Sequence, residues 1–297
     1  MPVRPFRFGV NMLTPAPRAE WREKCRTAER LGYDVILVAD HLGMASPFPS
    51  VVAAAEATER ARVGTFVLNA GFFNPTLLAR DVATTDQLTD GRLELGLGTG
   101  YVQAEHDAAG LPFGTPGERV THLRRTVEEL DRLFADEEFQ PRPLSQPRPP
   151  LLIGGSGDRM MRLTAEHADI AAFTGARAVP GDAGGKMIHL SPAELDERVA
   201  AYQRFAAGRA KPAELNLLIQ MVRITDDPRA VAQEVVEHIP QVTAEDALDL
   251  PILLIGTARQ IAERLRALRE RYGFSYFTIL EPYFEEFGPV IEELHGE

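Results

Sequence analysis

The chain is predicted to fold as a (β/α)8 barrel, a TIM barrel with insertions. Three observations lead there. Short apolar runs bounded by charged or turn residues occur eight times, amphipathic helical stretches separate them, and 297 residues is an ordinary length for one barrel. A single domain over residues 1–297 is expected, with a doubly wound open sheet as the competing arrangement.

Phe6 to Asn11 reads as the first strand, ended by a loop with Pro15 and Pro17. Glu20 to Leu31 carries apolar residues at helical spacing, and Gly32 stands where a C-terminal cap belongs. Val35 to Ala39 is a continuous apolar run, the mark of a strand buried on both faces. The alternation continues with Val51 to Thr58 helical, Val63 to Leu68 a strand, Leu77 to Leu88 helical and Leu93 to Leu97 a strand. Pro116 to Phe134 is a long amphipathic helix. Gln140 to Pro150 holds five prolines and reads as an extended surface connection before the strand Leu151 to Ile153. Arg159 to His167 is helical and Ile170 to Phe173 a strand. Thr174 to Leu190 is glycine-rich and lacks a clear period, which makes it the candidate lid loop. Ser191 caps a helix to Ala207, with Pro192 in its first turn. Leu215 to Val222 is the seventh strand and Pro228 to Ile239 its helix. The short run Ile252 to Ile255 precedes a charged helix, Ala258 to Arg271. Tyr276 to Leu280 is the eighth strand and Phe284 to Leu294 a closing helix.

Composition narrows the function classes. Thirty-two basic and 43 acidic residues give a net charge of −11, which argues against a nucleic-acid or anionic-membrane partner. Cys25, the only cysteine, falls in step with Trp21, Ala28 and Leu31 on one helical face and reads as a buried apolar residue. An intrachain disulfide and zinc–cysteine clusters are thereby excluded, and no metal site is expected. Met1 to Val10 lacks an apolar signal core, and no apolar run is long enough to span a bilayer. A soluble, cytoplasmic protein acting on a small molecule is the expectation.

In such a barrel the chemistry sits at the C-terminal ends of the strands. Asp40 and His41 follow the second strand, offering an acceptor and a titratable imidazole side by side. Asn69, Gly71, Phe72, Phe73 and Asn74 follow the third, and the two phenylalanines suit the wall of a flat ligand or simple packing. Gly96-Leu97-Gly98-Thr99-Gly100-Tyr101 ends the fourth strand, with glycines that permit close backbone approach. Gly154, Gly155, Ser156 and Gly157 follow the fifth strand and precede a helix, so free N–H groups and the positive end of a helix dipole face one point. This second cluster is the better phosphate candidate. Among the histidines, His106 and His189 are read as loop residues on the functional face, whereas His122, His167, His238 and His295 fall in predicted helices.

The pattern resembles the luciferase-like monooxygenase superfamily, in particular its oxidoreductases dependent on coenzyme F420, a deazaflavin. The likeness is carried by Asp40-His41, by LARDVATTDQLTDGRLELGLGTG from Leu78 to Gly100, and by EHDAAGLPF from Glu105 to Phe113. Arg119, LLIGGSG from Leu151 to Gly157, and LIGTARQIAERL from Leu254 to Leu265 extend it over nearly the whole chain. The resemblance implies a cofactor across the top of the barrel and a non-proline cis peptide at Phe66-Val67 against its ring. It places Gly98, Thr99 and Gly100 near the cofactor, Gly155, Ser156 and Gly157 at its phosphate, and His41 at the active-site histidine of sugar-phosphate dehydrogenases. Homodimers are usual in that family. Those dehydrogenases carry a glutamate where this chain has Tyr101, and a tryptophan where Leu42 to Phe48 has none, departures that argue against glucose 6-phosphate as substrate. The expected activity is hydride transfer between F420 and a small organic substrate, with His41 as acid, base or charge stabiliser and Tyr101 assisting at the substrate oxygen. An FMN-dependent monooxygenase and a non-catalytic cofactor-binding barrel are the alternatives.

Overall fold

The computed structural model describes residues 4–179, 181–238 and 242–297. Its elements run in order β1 (Arg7–Met12), α1 (Arg18–Arg30), β2 (Val35–Val38), α2 (Pro47–Ala57), β3 (Arg62–Thr65), β4 (Leu68–Asn69), α3 (Pro75–Leu88) and β5 (Leu93–Gly98). Then come α4 (Gln103–Ala109), α5 (Pro116–Ala135), β6 (Leu151–Gly154), α6 (Asp158–His167), β7 (Ile170–Phe173), β8 (Ala176–Ala178), β9 (Met187–His189) and α7 (Pro192–Ala206). The last part holds β10 (Glu214–Ile219), β11 (Met221–Ile224), α8 (Pro228–His238), α9 (Ala244–Asp249), β12 (Leu253–Gly256), α10 (Ala258–Tyr272), β13 (Phe274–Leu280) and α11 (Gly288–Glu293).

Strands β1, β2, β3, β5, β6, β7, β10 and β13 pair in parallel around a closed ring, the predicted (β/α)8 barrel. Closure comes from Val63↔Leu93 and Gly64↔Glu94, which join β3 to β5. The period-two alternation explains why the strands read as continuous apolar runs. In β2, Val35 and Leu37 belong to the cluster inside the barrel with Phe66, Leu152 and Tyr276, while Ile36 and Val38 pack outward under the helices. Proline and polar caps set the helix starts. Thr115, Ser191 and Thr257 each close a capping box, and α5 and α7 carry proline in the first turn.

The N-terminal end of the barrel is shut by charge. Arg7 bonds Glu214 at 2.5 Å and Glu94 at 2.5 Å, and Arg62 reaches Glu94 at 2.9 Å. These buried carboxylates are paired with guanidinium groups, so this end reads as structure, and the opposite mouth carries the candidate chemistry.

Four expectations are corrected. Thr174 to Leu190 is no featureless loop, because β8 and β9 pair antiparallel through Ala176↔His189 and Ala178↔Met187. The seventh strand breaks at Gln220, and β11 leaves the barrel to pair with β12, the run that the eight-strand count left over. His106, read as a loop residue, lies in the helix α4. The closing segment is a 3-10 turn, Glu281–Tyr283, followed by the short α11, with His295 beyond its end. Ile239 lies outside the described residues. Among those described, no helix is long and apolar enough to cross a membrane, and no three histidine, cysteine or carboxylate groups are placed to share a metal ion.

Candidate functional site

The ends of β2, β4, β5 and β6 bring the candidate residues to one mouth. Asp40 follows β2, and its Oδ2 accepts the backbone N–H of Asn69 at 2.9 Å, tying β2 to β4. Burial pushes the Asp40 carboxyl up, against the pull of the Asn69 N–H and His41. A raised value in the fold means that its contribution to stability is present at low pH and is lost as pH rises through that value. Asp40→Asn, fixed neutral, is therefore expected to gain thermal stability relative to the parent as the pH goes from about 4 to 7. Asp40→Ala leaves the Asn69 N–H without an acceptor and should cost about 1–3 kcal/mol. Melting curves of both variants across that range check the pair.

Asn69 is a junction. Its Oδ1 accepts Gly71 N–H at 3.0 Å, and its Nδ2 donates to His106 Nε2 at 2.9 Å. His106 Nδ1 donates to the Pro112 carbonyl at 3.0 Å, so both ring nitrogens are used. His106 is thus a buried helix residue in a structural network, which corrects its place among the loop candidates. Phe72 packs on His106 and Phe73 on Phe48. His122, in α5, is half-buried and bonds the Ala70 carbonyl at 3.0 Å.

His41 remains available. Its Nδ1 lies 2.8 Å from Glu105 Oε1, and Nε2 has no partner among the described residues. The Tyr101 ring stands edge-on to His41 at 5.6 Å and 81°. Burial, then the Glu105 charge, pushes the Tyr101 phenol up, so it stays a hydrogen-bond donor through neutral pH. The β8–β9 hairpin comes down on this point. Ala183 O accepts Ala104 N–H at 3.1 Å, and a Cβ at Gly185 would stand 2.9 Å from Tyr101 Cε2. His189, in β9, has a buried Nδ1 without a partner, and burial lowers its pKa.

The Phe66-Val67 peptide between β3 and β4 is cis, as the resemblance implied. Asn11 Nδ2 donates to Phe66 O at 3.5 Å, while Asn11 Oδ1 is buried without a partner. The glycines that end and follow β5 are required by the chain itself. A Cβ on Gly98 would come 2.7 Å from Val67 Cγ2, and Gly100 sits at φ +67° against the Asn69 side chain. Thr99 between them is half-buried. Arg119 lies behind this turn, with Nε donating to Gly100 O at 3.1 Å and its guanidinium 3.9 Å from the Phe113 ring centre.

Gly154 ends β6 beside β5, and Gly155, Ser156 and Gly157 lead into α6. No side chain caps this helix, and a Cβ at Gly157 would meet nothing within 4 Å. Its first-turn side chains are engaged elsewhere. Asp158 pairs with Arg198 at 2.7 Å, and Arg159 donates to Gly117 O at 3.1 Å. An open, uncapped N-terminus at the barrel mouth suits an anion.

The luciferase-like monooxygenase family model matches residues 3–251. The chain belongs to that family. The luciferase-like enzymes similar to it use two cofactors. An FMNH2-dependent dimethylsulfone monooxygenase of Pseudomonas putida is 26% identical over 287 residues, covering 81% of this chain and 77% of that one. An F420-dependent glucose-6-phosphate dehydrogenase of Intrasporangium calvum is 36% identical over 121 residues, covering 37% of this chain and 36% of that one. The fold of an F420-dependent secondary alcohol dehydrogenase superposes with a TM-score of 0.78 at 16% identity, over 98% of both chains.

Two polar residues at this mouth were not assigned a role from the sequence. Asn11 is the polar residue near the end of an otherwise apolar first strand, which is a readable signal. Glu105 opens the EHDAAGLPF block, but its contact with His41 was not readable, because only the path of α4 brings it there across 64 positions.

Proposed function

We propose that the protein is an oxidoreductase that binds coenzyme F420 and exchanges a hydride with a small organic substrate bearing a hydroxyl or carbonyl group. The whole chain works as one barrel domain, with the β8–β9 hairpin as its lid. The observation that carries this reading is His41 at the mouth, engaged at Nδ1 and unpartnered at Nε2, beside a protonated Tyr101. Hydride loss from an alcohol carbon becomes favourable as its hydroxyl proton leaves, so a fixed proton acceptor and a neutral donor are what the reaction needs. Similarity to F420-dependent dehydrogenases supports the cofactor.

The residues present fit such a cofactor. The uncapped start of α6 with Gly155, Ser156 and Gly157 would hold its phosphate, and Gly98, Thr99, Gly100 and the Phe66-Val67 peptide would flank its ring. The buried, unpartnered Asn11 Oδ1 offers a further acceptor. When bound, a deazaflavin supplies a ring carbon that takes or gives a hydride. His41 Nε2 takes the proton as the hydroxyl becomes a carbonyl and returns it in the reverse direction. Tyr101 OH donates a hydrogen bond to the substrate oxygen.

Anaerobic mixing with F420 and a panel of small alcohols, or with reduced F420 and the matching ketones, tests the reading by the change in cofactor absorbance. No exchange with any pair, together with a protein-dependent oxygenated product formed from reduced FMN, oxygen and a substrate, would favour the monooxygenase alternative, which the P. putida relative's match over 81% of this chain supports. At the phosphate turn, Ser156→Asp places a carboxylate beside the anion and should weaken cofactor binding about tenfold or more without lowering the melting temperature. Equilibrium titration of the variant checks it.

A further inference from the structure

We infer that Glu105 is the positioning residue of the site, fixing His41 in the Nδ1–H tautomer so that Nε2 is the proton acceptor. The inference rests on the proposed acid–base role of His41, but its test does not depend on the cofactor.

Glu105 is built into place. It stands in the first turn of α4, whose start is pinned by Ala104 N–H on the hairpin carbonyl of Ala183 at 3.1 Å. The next residue, His106, is buried and locked between Asn69 and Pro112. Two consecutive side chains of α4 thus clamp the loops after β2 and β4, Glu105 through His41 and His106 through Asn69. The Glu105 side chain is 15% exposed and that of His41 27%, so this pair is not a solvated surface contact.

A carboxylate only accepts, so the nitrogen facing it carries the proton when the imidazole is neutral, and the other nitrogen keeps its lone pair. A free imidazole side chain favours the opposite tautomer. Glu105 therefore selects the form in which Nε2 can take a substrate proton. Once that proton arrives, the carboxylate faces the imidazolium and stabilises it.

The test is the tautomer of His41 in the cofactor-free protein, read from long-range 1H–15N spectra of 15N-histidine-labelled material and assigned by loss of the signal in His41→Ala. Wild type and Glu105→Gln, whose amide oxygen still accepts, should show Nδ1–H, and Glu105→Ala should revert to Nε2–H. With F420 and an alcohol that it oxidises, Glu105→Ala should lose about 10–100-fold in kcat, and Glu105→Gln should recover part of that loss. An Nε2–H signal in wild type, or an unchanged Nδ1–H signal in a folded Glu105→Ala, would overturn the assignment. Failure to bind F420 would overturn the cofactor reading and leave the tautomer result to decide the role of Glu105.

Discussion

Gly96→Ala should yield no folded protein. Gly96 lies buried in β5, where a Cβ would come closer than 3.0 Å to the carbonyl oxygen of Thr65 in the neighbouring β3. The obstacle is backbone, so no rotamer change relieves it. Nor can the strands part, because Thr65 Oγ1 donates to Gly96 O at 2.9 Å and accepts Gly96 N–H at 2.9 Å, at the seam where the barrel closes. Forcing the methyl in separates these groups and strands them in a dry interior, a loss beyond about 4–5 kcal/mol against a total stability of about 5–15 kcal/mol. Soluble yield and circular dichroism measure the outcome. Gly157→Ala, which meets open space, is the control expected to fold like the parent. A Gly96→Ala protein melting within a few degrees of the parent would refute the account of the seam.

His41→Ala should keep the fold and the cofactor while losing the chemistry. His41 is partly exposed and its polar contact within the chain is to Glu105, so little packing is lost. Removing a positioned acid–base group lowers the rate about 10²–10⁴-fold. The dissociation constant for F420 should stay within about threefold of the parent, equivalent to less than about 1 kcal/mol. Steady-state kinetics beside an equilibrium titration separate the two effects. A variant that turns over at the parental rate removes the role assigned to His41, whatever the fate of the cofactor reading.

The barrel was legible because its strands are buried on both faces. Val35 to Ala39, Leu93 to Leu97 and Ile170 to Phe173 announce themselves as apolar runs, and their number and spacing leave few architectures. What stayed hidden depends on tertiary geometry. The β8–β9 hairpin has strands of three residues each in a glycine-rich stretch, too short for any period to register. The departure of β11 at Gln220 is set by its pairing with β12, some 30 residues away in the chain. At the mouth, the placing of Asp40-His41 and the two glycine clusters was readable because each directly follows or ends an apolar strand run. The reason for Gly98 and Gly100 was not, since each glycine answers to a side chain on a neighbouring element, Val67 for one and Asn69 for the other. His106 and Glu105 exchanged significance in the same way. The histidine read as a candidate is consumed by Asn69 and Pro112, and the glutamate beside it reaches the His41 imidazole.

The proposal that this luciferase-like protein works through a deazaflavin is tested most directly by an equilibrium titration of the purified chain with F420 and, separately, with FMN. The account predicts saturable F420 binding, with FMN at least about tenfold weaker, a difference of about 1.4 kcal/mol. Tight FMN binding with no saturable binding of F420 would contradict it.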